Sequence, residues 1–146
     1  MNSGPLITYR RAPATLNRSA IEAFAEVLRT RVGRGREFHC LITSDAELQA
    51  LNKRFLRKDF PTDVLSFPSG ATDPIGDIAI SLQRARAQAR EWAHSVEDEL
   101  CILMLHGVLH LKGLDHEADS GRMARAEKRW RNKLGLPGGL IERAAR

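Results

Sequence analysis

The chain has 146 residues, 42% hydrophobic and 28% charged, with a net charge of +5. That is one domain's length, enough for a core of its own and unlike the composition of a disordered or fibrous chain. Its longest apolar run, Leu100 to Leu105, falls far short of the roughly 20 residues a membrane span needs, and no secretory hydrophobic region is expected at the start. No membrane partner is expected. The two cysteines, Cys40 and Cys101, make no disulfide framework, so a cytoplasmic setting without disulfide-linked partners is expected. The cations are 18 Arg against 5 Lys, and arginine suits bidentate contact with phosphate. Solvated helix faces would account for the charge equally well.

In chain order the pattern alternates strand and helix. Leu6 to Tyr9 is predicted as an edge strand. Leu16, Ala20, Ile21, Phe24, Val27 and Leu28 keep helical spacing from about Leu16 to Arg31, with Thr15 or Asn17 as cap and Gly33 and Gly35 as stop. Glu37 to Thr43 alternates as a strand. Ser44 to Glu47 forms a capping box for a helix from about Asp45 to Leu56. Val64 to Phe67 is a strand ended by Pro68, and Asp77 to Ser81 is a strand that could pair with it antiparallel. Leu82 to Ala93 is a basic helix. Ser95 caps the next helix, whose first turn holds Glu97, Asp98 and Glu99 and whose later turns are apolar nearly all round, so it is predicted to be buried. A last basic helix is predicted from about Ser120 to Leu134. Nothing divides the chain, so residues 1–146 are read as a single domain.

The chemistry concentrates in His106-Gly107-Val108-Leu109-His110-Leu111-Lys112-Gly113-Leu114-Asp115-His116. His106 and His110 are four residues apart, about one helical turn, so both imidazoles leave the same face. Gly113 can take positive φ and turn the chain back, delivering His116 to the same point. Three imidazoles with a fourth position left open make a catalytic rather than a structural zinc site. A single Zn2+ per chain on His106, His110 and His116 is therefore expected. The spacing is that of metzincin peptidases, but the position after the first histidine, where those enzymes carry a Glu base, is Gly107. Cys101, five residues before His106 and roughly 140° around the helix, is a poor ligand candidate. His39 and His94 are read as structural. Asp115 and Glu117 flank the third histidine as orienting or solvated residues, and either could take a proton. Asp77 is read either as a turn residue or as a carboxylate behind a ligand histidine, and Thr62 and Asp63 either as turn residues or as cleft lining.

The histidine stretch, together with Leu51-Asn52, Pro61-Thr62-Asp63-Val64-Leu65-Ser66-Phe67-Pro68 and Ile75-Gly76-Asp77-Ile78, resembles the YbeY family of bacterial endoribonucleases, in the expected order over about Leu51 to His116. The resemblance implies an α+β, zincin-like domain with a four-stranded mixed sheet and about five helices. It also implies one zinc on the three histidines and a cytoplasmic role in ribosome maturation, with 3′-end trimming of small-subunit (16S) ribosomal RNA and ribosome quality control. Single-stranded RNA, the small-subunit ribosomal RNA and the ribosome or its assembly factors are then the expected partners. One departure stands out. The family usually carries an aromatic residue and then an arginine implicated in activity, whereas here Phe55 is followed by Leu56 and then Arg57. The catalytic arginine role is therefore expected at Arg57, one position late. A zinc-stabilised RNA-binding assembly factor with little catalysis and a zincin-like peptidase are the alternatives.

Overall fold

The structure is a computed structural model that describes residues 5–57, 62–113 and 121–137. It is an α+β domain built on a four-stranded sheet. The strands are β1 (Ile7–Tyr9), β2 (His39–Thr43), β3 (Val64–Pro68) and β4 (Gly76–Ser81), in the order β1-β2-β4-β3. β1, β2 and β4 run parallel, and β3 pairs antiparallel with β4, Phe67 opposite Asp77 and Val64 opposite Ile80. The sheet is mixed, with the short β1 at one edge and β3 at the other.

Among the described residues five α-helices pack around it: α1 (Arg18–Val27), α2 (Asp45–Leu56), α3 (Leu82–Glu91), α4 (Val96–Leu111) and α5 (Arg122–Leu134). Local chemistry sets their starts. Asn17, Ser44, Ser81 and Ser95 each accept a backbone N–H of the first turn, from Ala20, Glu47, Arg84 and Asp98, removing donors that a helix start otherwise leaves unmade.

The expected helix to Arg31 is corrected in one respect: α1 gives way at Val27 to a π-helical turn, Leu28–Val32. The wider turn keeps Leu28 and Val32 in the core and ends at Gly33, whose N–H reaches the Leu28 carbonyl. The basic helix α3 likewise stops at Glu91 rather than Ala93, because Ala93 is left-handed (φ 57°) and turns the chain into the Ser95 cap.

Along β2 and β4 the side chains alternate between two faces. Cys40, Ile42, Ile78 and Ile80 face the main core with Ile21, Leu28, Leu100, Leu103, Met104 and Val108. Leu65 and Ala79 face Leu48 and Leu51 of α2 in a smaller core. Helix α4 touches β3, β4, α1, α3 and α5, which accounts for its nearly all-apolar sequence. It is the buried axis of the domain.

Candidate metal centre

The site is built on the second half of α4. His106 and His110 leave it one turn apart, with ring centroids 4.9 Å apart and planes at 66°. Gly113 follows with φ 92° and ends the helix region as its spacing predicts. His116, Asp115 and Glu117 lie outside the described residues. Among the described residues no group of three or more His, Cys, Asp and Glu side chains is placed to hold a metal.

What sequence reasoning missed is Glu127. This carboxylate, on α5 and only 2% exposed, lies 2.8 Å from Nδ1 of His106, itself buried. A carboxylate that accepts from Nδ1–H leaves the lone pair of the ring on Nε2. A carboxylate behind a histidine in this way fixes its tautomer and orientation for a metal on the other nitrogen. A lone acid in a basic helix, on that helix's apolar face, was the available signal. Asp77 lies beside a different histidine. It sits on the sheet face opposite Ile78, 68% exposed, with Oδ1 3.7 Å from Nδ1 of His39. The carboxylate at His106 is Glu127, and Asp77 is beside His39.

The donor set fits zinc as far as it is described: two imidazoles on one helix face, one of them backed by a carboxylate. Cys101 lies roughly 140° around the helix from His106, away from the aligned pair. Burial, and then Asp98 and Glu97, push its thiol up to about 12. His94 is held elsewhere, its Nε2 2.6 Å from the buried Glu99.

Gly107 faces β4. A Cβ there would lie 2.9 to 3.1 Å from three side-chain atoms of Ile78. A side chain at the position where a peptidase carries its base would have to displace Ile78. Ser66 of β3 donates to the Gly107 carbonyl at 3.3 Å, holding the edge strand against the same turn. Gly76 is needed for a similar reason. Its φ is 155°, and a Cβ would meet the Phe67 carbonyl at 2.4 Å and Leu111 at 2.6 Å.

The remaining candidates divide. Asp63 accepts Gln88 Nε2 at 3.0 Å and, through its carbonyl, Ser81 N–H at 2.9 Å, so it ties β3 to α3 and β4. Arg57 ends α2 with an exposed side chain and a left-handed backbone (φ 57°, ψ 33°), its N–H bonded to the Asn52 carbonyl. Beside it Phe55 and Leu56 are both exposed. Phe55 meets Phe67 edge to face at 5.9 Å and carries Arg54 over its ring at 5.1 Å. On the C-terminal side of the histidine pair, Lys112 has its pKa lowered by burial and then by Arg34, Arg36 and Arg129.

A buried helix thus aligns two imidazoles, one of them braced by a carboxylate, and ends at Lys112. Comparison with known proteins assigns the family. Residues 8–135 match the family model described as endoribonuclease YbeY. The chain is 65% identical over 140 residues to an endoribonuclease YbeY from Solibacter usitatus, covering 96% of this chain and 95% of that one. It is 45% identical over 141 residues to one from Koribacter versatilis, covering 97% and 93%. A solution structure of TM1509 from Thermotoga maritima aligns with a TM-score of 0.59 at 29% identity, over 85% of each chain. The chain belongs to the endoribonuclease YbeY family, a family of hydrolases.

Proposed function

We propose that this chain is a zincin-like, zinc-dependent endoribonuclease that cuts single-stranded RNA in the cytoplasm, acting in 3′-end maturation of 16S ribosomal RNA and in ribosome quality control. The observation that carries the reading is the His106–His110 pair with Glu127 behind it. His106, His110 and His116 would hold one Zn2+, with Glu127 fixing the His106 ring so that Nε2 is the donor. Zinc held there would supply Lewis acidity and hydroxide at neutral pH. Every other contribution comes from the chain. Arg57 grips a phosphate oxygen of the substrate, a contact that a guanidinium makes bidentate. The absence of a side chain at Gly107 leaves the pair without a helix-borne carboxylate base, which favours a phosphodiester over a peptide.

The test is incubation of the purified chain with precursor ribosomal RNA and, separately, with a peptide library, each with chelator and after zinc is restored. Cutting of RNA alone, abolished by chelator and regained with zinc, is expected. RNA binding that leaves the strand intact across neutral pH would favour the assembly-factor reading instead.

A further inference from the structure

Beyond the histidine pair, cations gather at a cavity between α4 and α5. The cavity, of about 390 Å³, opens between the C-terminal end of α4 and the outer face of α5, lined by Lys112, Arg122, Arg125, Ala126 and Arg129. Arg122, Arg125 and Arg129 stand at helical spacings of three and four residues, so they form one row. The row is about 10 Å long at the ordinary helical rise. Buried Ala126 gives the cavity a small floor.

An ordinary solvated helix face mixes both signs of charge. This one does not. The acid of α5, Glu127, is turned inward to His106, and among the described residues no ion pair joins Lys112, Arg122 or Arg129 to a carboxylate. Cations gathered round one cavity repel each other and are relieved by an anion with several oxygens. The place is also specific. Lys112 comes two residues after His110, and Ala126 is the neighbour of Glu127, so the cavity lies on the same two helices that carry the histidine pair and its carboxylate.

We propose that this cavity binds phosphates of the RNA strand just beyond the cleaved bond, a docking subsite distinct from the metal ligands and from Arg57. The proposal rests on the endoribonuclease reading and deepens it. The subsite holds the strand by charge alone, without reading bases, and sets the direction in which it leaves the histidine pair.

The test is equilibrium binding of a fluorescent single-stranded RNA oligonucleotide to the full chain, with chelator present so that no cleavage intervenes, over a range of salt concentrations. Arg122→Gln/Arg129→Gln removes two phosphate contacts from exposed helical positions, and Arg90→Gln on α3 removes a cation elsewhere. At about 0.7 in salt slope per single-strand contact, the double variant should lose about 1.4 in slope and bind roughly 25-fold more weakly at about 0.1 M salt. Arg90→Gln should keep the wild-type slope. Arg122→Lys/Arg129→Lys should recover the slope, which separates loss of charge from damage to the helix. An unchanged slope in the Gln variant, with RNA still bound, overturns the subsite and leaves the endoribonuclease reading standing. Wild type without salt-dependent RNA binding overturns both. Two further arms identify the occupant. If the Gln variant loses binding to anionic vesicles, or to inorganic phosphate read by thermal shift, while its RNA slope is intact, the cavity serves a membrane or a free anion and the proposal falls.

Discussion

Glu127 Oε2 and His106 Nδ1 stand 2.8 Å apart, both buried, and join the last helix to the central one at the first histidine of the pair. Twenty-one residues separate them in sequence. If this contact orients the ring, Glu127→Gln, which still offers an acceptor, should keep much of the zinc affinity. Glu127→Ala should lose about 10- to 100-fold, the usual effect of removing a carboxylate behind a ligand histidine. Competition against a zinc-binding dye measures it. Equal affinity in wild type and the Ala variant would reduce the pair to a packing contact.

Gly107 and Ile78 form a close helix–sheet contact that can be tested by paired substitution. Gly107→Ala should destabilise the fold by about 1–3 kcal/mol, the cost of overpacking. Ile78→Val, which removes one of the atoms in the way, should make the double variant less destabilised than the sum of the singles. Denaturant melts of the four proteins provide the comparison. Strict additivity would show that the two positions do not press on each other.

Much of this was legible in the sequence because it is written locally. Capping residues gave the starts of α1, α2 and α4, alternation gave the strands, and the interval from His106 to Gly113 gave the aligned pair and its positive-φ ending. What was not legible depends on packing between distant segments. Glu127 reads as one more charge until α5 is laid on α4, and Asp77 reads as a partner for a ligand until the β2–β4 register puts it beside His39 on the other face. The parallel order of β1, β2 and β4 is likewise a long-range property. The π-helical turn at Leu28–Val32 interrupts a helical pattern whose periodicity alone gives no sign of it.

Arg57 combines a left-handed backbone with a proposed phosphate contact. A side chain in that conformation costs roughly 1–2 kcal/mol, which glycine avoids. Arg57→Gly should therefore raise stability by about 1 kcal/mol while lowering RNA turnover, and Arg57→Ala should lower turnover without the gain. Zinc content should not change in either. If turnover survives both changes but rises with Leu56→Arg, the arginine role has not moved to Arg57.

The cysteines give a pH-dependent expectation. The Cys101 thiol is raised to about 12 by burial, and Cys40 is raised by burial as well. Neither should react with a thiol reagent in the native state at neutral pH. The unfolded chain ionises these thiols near their ordinary value of about 9, so their contribution to stability is complete below that pH and is lost as pH rises toward 12. Denaturant melts at successive pH values above 9 should show the decline. Rapid labelling of the folded chain at pH 7 would contradict the burial.

The central claim is that the histidine pair of α4 belongs to one zinc site that cuts RNA. Its most direct test is the single-turnover cleavage rate of a single-stranded ribosomal RNA fragment, measured while zinc is titrated into metal-free wild type and metal-free His110→Ala. The wild-type rate should rise and saturate at one zinc per chain, and the variant should stay at the metal-free level throughout. Equal cleavage by His110→Ala, or a wild-type rate indifferent to zinc, would contradict it.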